Sequence, residues 1–408
     1  MRIAIIGAGF TGLSTAYRLL QKSHQVIIFE KEPDVGGLAA GFTKNNWDWT
    51  LEKSYHHIFT NDFSILKLAK DIHQPIIILK PRTDVFIDGQ TFQFDNPSSI
   101  LKFPYLTFLE RARFGLALAY LKFNSNYKQF ENTRALSWLR HTIGKKATSL
   151  IWEPLFAGKF EKFKEDISLT WFWARIKKRT SSLAYPIGGF KAFTDKLSNE
   201  IKKLGGEILL KTEITDLDSL QKSFDKIIVT LPTPMFLKIT GNLPKDYVKK
   251  LSSIHHLSAL TLMLVLKEPF LKNTYWLNIT DKSYPFLALV EHTNFIDPDH
   301  YGGTHILYIG NYLPPDHPYL KMSTEELLKI YAPYLKKINP NYSLPPVACY
   351  LFSQPFAQPV VTVGYQKFIP TFETPLKNVF LANMDMVYPW DRGINYAVEM
   401  GKNVVKLI

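Results

Sequence analysis

Residues Arg2–Ile6 form an apolar β run, and Gly7-Ala8-Gly9-Phe10-Thr11-Gly12 follows it without a gap. Leu13–Lys22 then reads as a helix with Leu13, Ala16, Tyr17 and Leu20 on one face. His24 and Gln25 turn the chain into a second strand, Val26–Phe29, which ends at Glu30. A glycine triad gains its meaning from this strand–turn–helix–strand setting. Gly7 permits the tight turn, Gly9 lets the backbone approach a pyrophosphate, and Gly12 lets the helix sit close to the strand. The free N–H groups and partial positive charge of the helix start suit phosphates. Glu30, 18 residues after Gly12, is placed to accept from a ribose. These residues predict a dinucleotide site.

Glu30-Lys31-Glu32-Pro33-Asp34-Val35-Gly36-Gly37 carries the chain into a second glycine pair. Here the chain resembles the FAD-binding amine oxidase, protoporphyrinogen oxidase and phytoene desaturase superfamily, with a weaker likeness to UDP-galactopyranose mutases. In that superfamily the GG backbone passes close to the flavin's phosphates and ribityl chain, so the resemblance implies FAD as cofactor. It recurs in "YPIGGF…LSNEIKKLGGEILLKTEI", in "DKIIVTLPTP" and in "NVFLANMDMVYPWDRGINYAVEMG", in the superfamily's order, over roughly a third of the chain. It implies an α/β fold: a discontinuous Rossmann-like FAD-binding domain, a mostly antiparallel α+β substrate domain, and a helical insert. The expected segments are 1–75, 185–236 and 365–408 for the FAD domain, and 76–100 and 237–364 for the substrate domain. Residues 101–184 are expected to form the insert, with helices over Leu101–Lys122, Arg134–Phe160 and Ile167–Arg179. Thr83–Phe94 reads as a hairpin centred on Asp88-Gly89, and a Ser323–Glu326 capping box starts a helix over Thr324–Lys337.

The resemblance also distributes site residues. Cofactor contacts are expected from Gly7, Gly9, Phe10, Thr11, Gly12, Glu30, Lys31, Gly36, Gly37 and Leu38. Ile214 would lie near the adenine and Thr230 beside the cofactor. Asn383, Asp391, Gly393, Ile394 and Asn395 belong to the last flavin-contacting segment. Three departures stand out. Ala382-Asn383-Met384-Asp385 replaces the usual Gly-Asp, Leu38 replaces an arginine after the GG pair, and no cysteine stands where a flavin would be attached. They favour non-covalent FAD and argue against a monoamine oxidase.

A flavin performs the redox chemistry itself, so the protein must hold a substrate carbon against it and stabilise the resulting charge. His56 and His57, in "HHIF", resemble stretches that reach the flavin in the desaturases and mutases. A histidine there is a candidate proton shuttle, and the residues alone do not choose between the two. Lys159, in an aromatic segment followed by Arg175, Lys177, Lys178 and Arg179, is a candidate pocket cation. Tyr388, Trp390 and Arg392 precede the amphipathic final helix, whose N-terminus in the resembling superfamily faces the flavin's pyrimidine edge; Tyr388 and Trp390 would then form one wall of the substrate pocket. Arg392 would add a full positive charge at that edge, and Asp391 would orient that arginine or cap the helix.

With 46% hydrophobic and 21% charged residues, the 408-residue chain can bury large cores in two or more domains. Its single cysteine excludes an internal disulfide and suits a reducing compartment. The first residues read as a strand rather than an export signal, and the apolar runs fall short of the ~20 residues that span a bilayer. A cytoplasmic location is expected. The net charge of +13 is spread without a basic tail, which sets nucleic acid aside as a partner. An apolar, basic segment, Leu101–Lys122, makes an anionic membrane surface at the inner face a candidate partner beside a small or lipid-like substrate.

The leading expectation is an FAD-dependent oxidoreductase that removes a hydride from a C–H bond. The alternatives are a flavin-dependent nucleotide-sugar mutase and a non-catalytic carrier of prenylated ligands with the same fold.

Overall fold

The computed structural model describes residues 1–342 and 345–408. A five-stranded parallel sheet runs in the order Glu207–Leu209, Gln25–Phe29, Arg2–Ile6, Lys226–Val229 and Val379–Leu381. Three distant stretches of chain therefore build one sheet. Its central strands are apolar on both faces because helices cover both, as a parallel sheet requires. The first helix, Phe10–Leu20, lies between the C-terminal helix, Ile394–Val404, and Gly189–Lys203. The first turn of Phe10–Leu20 follows Gly9 with no side-chain cap.

The second sheet has seven strands. Its order is Ala348–Pro359, His256–Leu266, His305–Leu313, Ala288–Glu291, Trp276–Ile279, Thr83–Ile87 and Gln90–Gln93. All pairings are antiparallel except Trp276–Ile279 with Thr83–Ile87. The expected hairpin forms at Asp88-Gly89, both at positive φ, 49° and 77°. Helix Thr324–Ile338 opens on the expected Ser323–Glu326 capping box.

The insert is more broken than its apolar periodicity predicts. The single helix expected over Leu101–Lys122 divides into Pro97–Leu101 and Phe108–Phe123. Pro104 lies in the gap, and Thr107 with Glu110 starts the second piece through a capping box. The helix expected over Arg134–Phe160 is interrupted at Gly144, whose φ of 96° lies outside the helical range. It resumes at Lys145, widens into a π-helical turn over Thr148–Trp152 and continues as Glu153–Phe160. The expected Ile167–Arg179 helix forms as Leu169–Lys178, capped by Ser168. A second aromatic core holds the insert together, with Phe114, Trp171, Phe172 and Trp173 at its centre.

Strand Ile58–Phe59 pairs with Leu183–Pro186, which also pairs with Ile76–Leu79. This small sheet fixes the position of His56 and His57, which immediately precede its first strand.

Candidate functional site

The glycine motifs fold as a cradle. A Cβ on Gly12 would stand 1.9 Å from the carbonyl oxygen of Gly7, so only glycine lets the helix start this close to the strand end. Gly37 has a φ of 58°, and a Cβ there would meet the Gly9 Cα at 3.2 Å. The two glycine segments touch as an isolated bridge between Gly9 and Gly36. Glu30 is buried beneath them. It accepts from the Ala8 N–H at 2.7 Å and the Glu32 N–H at 2.9 Å, and each oxygen retains acceptor capacity for a hydroxyl. Thr230 Oγ1 donates to the Ile6 carbonyl and fixes the first turn from the neighbouring strand.

Other expected contacts lie around this cradle with different neighbours. Phe10 packs on Phe190 and Phe193, while Thr11 is buried and its carbonyl accepts from Ser14 and Thr15. Lys31 is exposed beside Glu32. The Leu38 carbonyl accepts from Gln354. Ile214 packs beside the core of the parallel sheet that includes Phe29. The Asn383 side chain is engaged internally, donating to Leu231 and Thr233 and accepting from the Asp385 N–H. Asn395 Oδ1 caps another helix, accepting from the Ser64 and Ile65 N–H groups.

Tyr55, His56, Tyr312 and Arg392 lie close to one another, each only half-buried, and outline a cleft. Tyr55, His56 and His57 lie deep in the molecule yet are only half-buried, as groups lining an internal cleft are. Tyr55 stands edge-on to Trp276 at 4.9 Å. His56 Nδ1 lies 2.7 Å from the Ser54 carbonyl, which can only accept. That bond assigns the ring proton to Nδ1 and leaves Nε2 with a free lone pair. Burial, then the nearby Arg392, lowers His56 to about 4. Burial, then Arg179, His56 and Arg175, lowers His57 to about 3, and its Nδ1 sits 3.3 Å from the Tyr275 hydroxyl. Both rings are neutral near pH 7.

The turn before the C-terminal helix meets this cleft. Gly393 is the N-cap residue and no side chain caps the helix, so its first N–H groups are free of side-chain acceptors. Asp391 does not cap it. Its carboxylate accepts from Arg175 at 2.8 Å, from the Arg392 N–H at 3.0 Å and from Gln358 Nε2 at 3.2 Å. Burial opposes the charge on Asp391, but Lys159, Arg175 and Arg392 outweigh it and hold the carboxyl below its usual range. Arg392 donates through Nε to Gln358 Oε1 at 3.0 Å and through its terminal nitrogen to the Tyr312 hydroxyl. The Lys159 ammonium lies 4.6 Å from the Tyr312 ring centre and 5.1 Å from that of Trp171.

Tyr388 and Trp390 pack against the insert. Tyr388 donates to Glu131, and Trp390 is stacked on Trp173 at 5.1 Å and on Tyr396 at 6.1 Å. They fasten the turn to the insert. A separate surface recess, lined by Lys162, Phe163, Ile254, His255, His256 and Phe356 among others, contains none of the candidate residues.

Comparison with known proteins decides what the cradle holds. The model of the family described as flavin containing amine oxidoreductase matches residues 10–408. The chain belongs to that family. Its cofactor is FAD, and the cradle fits it: two glycine backbones in contact where a Cβ would intrude, above a buried carboxylate with acceptor capacity to spare.

A coproporphyrinogen III oxidase of Staphylococcus aureus is 25% identical, with 67% of this chain and 69% of that protein covered. An uncharacterised protein of Methanocaldococcus jannaschii is 26% identical over 55% of each, so the match spans about half of its length. A reduced UDP-galactopyranose mutase structure superposes with a TM-score of 0.75 at 17% identity, covering all of this chain and 96% of that one. That last likeness is one of fold. Among the described residues, no helix is long and apolar enough to cross a membrane.

Tyr55, Tyr312 and Gln358 join the cleft without having been signalled by a motif. Tyr312 ends a recognisable strand, but Gln358 lies in a strand whose alternation is masked by Pro355 and Pro359. Only the pairing of distant strands brings these residues beside Arg392.

Proposed function

We propose that this flavoprotein is an oxidase- or desaturase-type enzyme that removes a hydride from a C–H bond of a small or lipophilic substrate. Bound FAD supplies the two-electron acceptor. In this reading the stretches 1–75, 185–236 and 365–408 form the cofactor-binding half, and the Gly9 and Gly37 backbones with the first helix's N–H groups hold the pyrophosphate. Glu30 accepts from the ribose hydroxyls. The free N–H groups at Gly393 and Ile394, with the Arg392 guanidinium, stabilise negative charge at the ring edge. His56 Nε2, the unprotonated ring nitrogen, takes up a substrate proton. Tyr55, Trp276 and Tyr312 form the aromatic wall that excludes water from the reacting carbon.

The observation that carries this reading is the meeting, in one deep cleft, of the His56–His57 segment with the uncapped start of the C-terminal helix. Anaerobic mixing of the holoprotein with amines, polyprenoids and porphyrinogens tests it. At least one class should bleach the flavin absorbance; a spectrum unchanged by all three overturns the proposal.

The mutase alternative draws support from the cations of the cleft, which suit a diphosphate. Activity on a nucleotide sugar only after prereduction of the flavin would favour it.

For the insert we propose contact with an anionic membrane surface through the outer side of helix Phe108–Phe123. Phe108, Leu109, Leu116 and Phe123 are 71–80% exposed there. Residues 101–149 carry nine lysines and arginines against two acids, which complements anionic headgroups.

A further inference from the structure

The cations of the cleft exceed what the fold neutralises. Asp391 is the carboxylate in hydrogen-bond contact with them among the described residues, and its oxygens are occupied by Arg175, Gln358 and a backbone N–H. Arg392 is bonded to neutral partners only, the Gln358 amide and the Tyr312 hydroxyl. Lys159 is only 8% exposed, and its ammonium has no hydrogen-bond or ion-pair partner among the described residues. The rings of Tyr312 and Trp171 frame that ammonium, and Arg175 lies 5.1 Å from the same Trp171 ring.

We infer that the cleft takes a substrate bearing an anionic group, a carboxylate or a phosphate, seated against Lys159, Arg175 and Arg392. The inference rests on the reading of this cleft as the substrate site. Buried cations without counter-charge oppose folding, and aromatic faces offset only part of that cost. A protonated amine entering beside Lys159 adds a further like charge. A hydrocarbon strips the remaining water from the cations and returns no hydrogen bond. Of these substrate types, an anion alone satisfies the free ammonium and neutralises its neighbours. Within a family described by amine oxidation, this chain is therefore built against the amine.

Burial, then Arg175, holds the Lys159 ammonium well below the usual lysine range, while Asp391 acts the other way. Arg179 is also lowered, to about 10, by burial and then Arg175, with Asp95 opposing the shift. Burial first and repulsion second thus work against the charge on Lys159, and an anion seated beside it favours the charged form.

Isothermal calorimetry on the FAD-loaded full chain tests the inference, with succinate, inorganic pyrophosphate and putrescine as probes. At least one anion should bind and putrescine should not; succinate alone marks a carboxylate site and pyrophosphate alone a phosphate site. Lys159→Met should weaken the bound anion roughly tenfold or more, and Lys159→Arg should retain most of the affinity. Lys159→Met removes a charge without orphaning a partner, so it should fold, and its melting temperature checks that it has. Binding of putrescine, silence with both anions, or equal affinity in folded wild type and Lys159→Met overturns the inference. Calorimetry reads binding without turnover. Anion binding with no bleaching by any substrate class would therefore fault the redox reading and leave this one standing.

Discussion

The Asp391 carboxylate, one residue before Arg392, accepts from Arg175 of the insert at 2.8 Å. This pair joins the start of the C-terminal helix to the helix Leu169–Lys178. It stands beside the Tyr388–Glu131 hydrogen bond and the Lys178–Asp62 ion pair as one of several polar contacts along that seam. Asp391→Asn removes the counter-charge of Lys159, Arg175 and Arg392 together. Because Arg175 is 44% exposed on its side chain, the expected cost is about 2 kcal/mol rather than that of a sealed pair. Denaturant unfolding should show a lowered midpoint with an unchanged slope. An unmoved midpoint would free the turn from this role.

Gly37→Ala places a methyl group against the Gly9 Cα in a left-handed backbone conformation. The strain of that conformation is roughly 1–2 kcal/mol. That strain is carried with or without cofactor and lowers folding stability. The methyl group, which pushes Gly37 away from the Gly9 Cα at 3.2 Å, opens the cradle and should weaken FAD binding about tenfold, or about 1.4 kcal/mol. Fluorescence titration of the apoprotein measures it, and wild-type affinity would show that the two glycine segments do not close on the cofactor.

Stability should fall on both sides of a maximum near pH 6. His56 and His57 have folded values of about 4 and 3 against an ordinary 6.5, so the unfolded chain takes up protons first. Their contribution is present above pH 6.5 and is lost as the pH falls through 4 and then 3. Glu52 acts in the opposite direction. Burial raises it from 4.5 to about 7, despite hydrogen bonds from the Phe190 N–H and the Tyr185 hydroxyl. Its contribution is complete below pH 4.5 and is lost as the pH rises through 7, on the order of 3 kcal/mol. Glu291, raised to about 8 by burial, adds to the same limb. Melting temperatures from pH 4 to pH 9 should show Glu52→Gln flattening the alkaline limb by about half. A curve superimposable on the wild type would show that Glu52 does not set the alkaline limb.

Arg392→Ala removes a guanidinium whose partners are Gln358 and Tyr312. With the reduced flavin's charge less well stabilised, the bound cofactor's potential should fall by tens of millivolts, as 30 mV is about 1.4 kcal/mol for two electrons. Equilibrium reduction against a dye gives the value. An unchanged potential would leave this arginine a substrate contact only.

Wild-type protein should sediment with vesicles rich in phosphatidylglycerol, and Leu116→Glu with Phe123→Glu should abolish this, because both side chains stand exposed on the insert helix. Equal sedimentation of wild type and double variant would end the membrane proposal.

What was legible in the sequence was what is local. The Gly7–Gly12 turn, the Asp88-Gly89 hairpin and the Ser323–Glu326 cap each form within a few residues, and each stands where the residues point. The insert was less legible, because Pro104 and Gly144 interrupt apolar patterns that otherwise read as continuous helices. The cleft was half-legible. Arg392, Lys159 and the two histidines announce themselves by chemistry, whereas Gln358 and Tyr312 reach Arg392 only through strands paired far apart in the chain. The side-chain partners of Asn383 and Asn395, the Leu231 carbonyl and the Ser64 N–H, also come from distant parts of the chain and carry no local signal.

The most direct test of a flavoprotein oxidoreductase working in this cationic cleft is the absorbance spectrum of the purified protein under anaerobic titration with candidate substrates. The expected result is an oxidised flavin spectrum, intact FAD released on denaturation, and bleaching by a substrate that carries a carboxylate or phosphate. A protein that is colourless and remains so after incubation with FAD would contradict it.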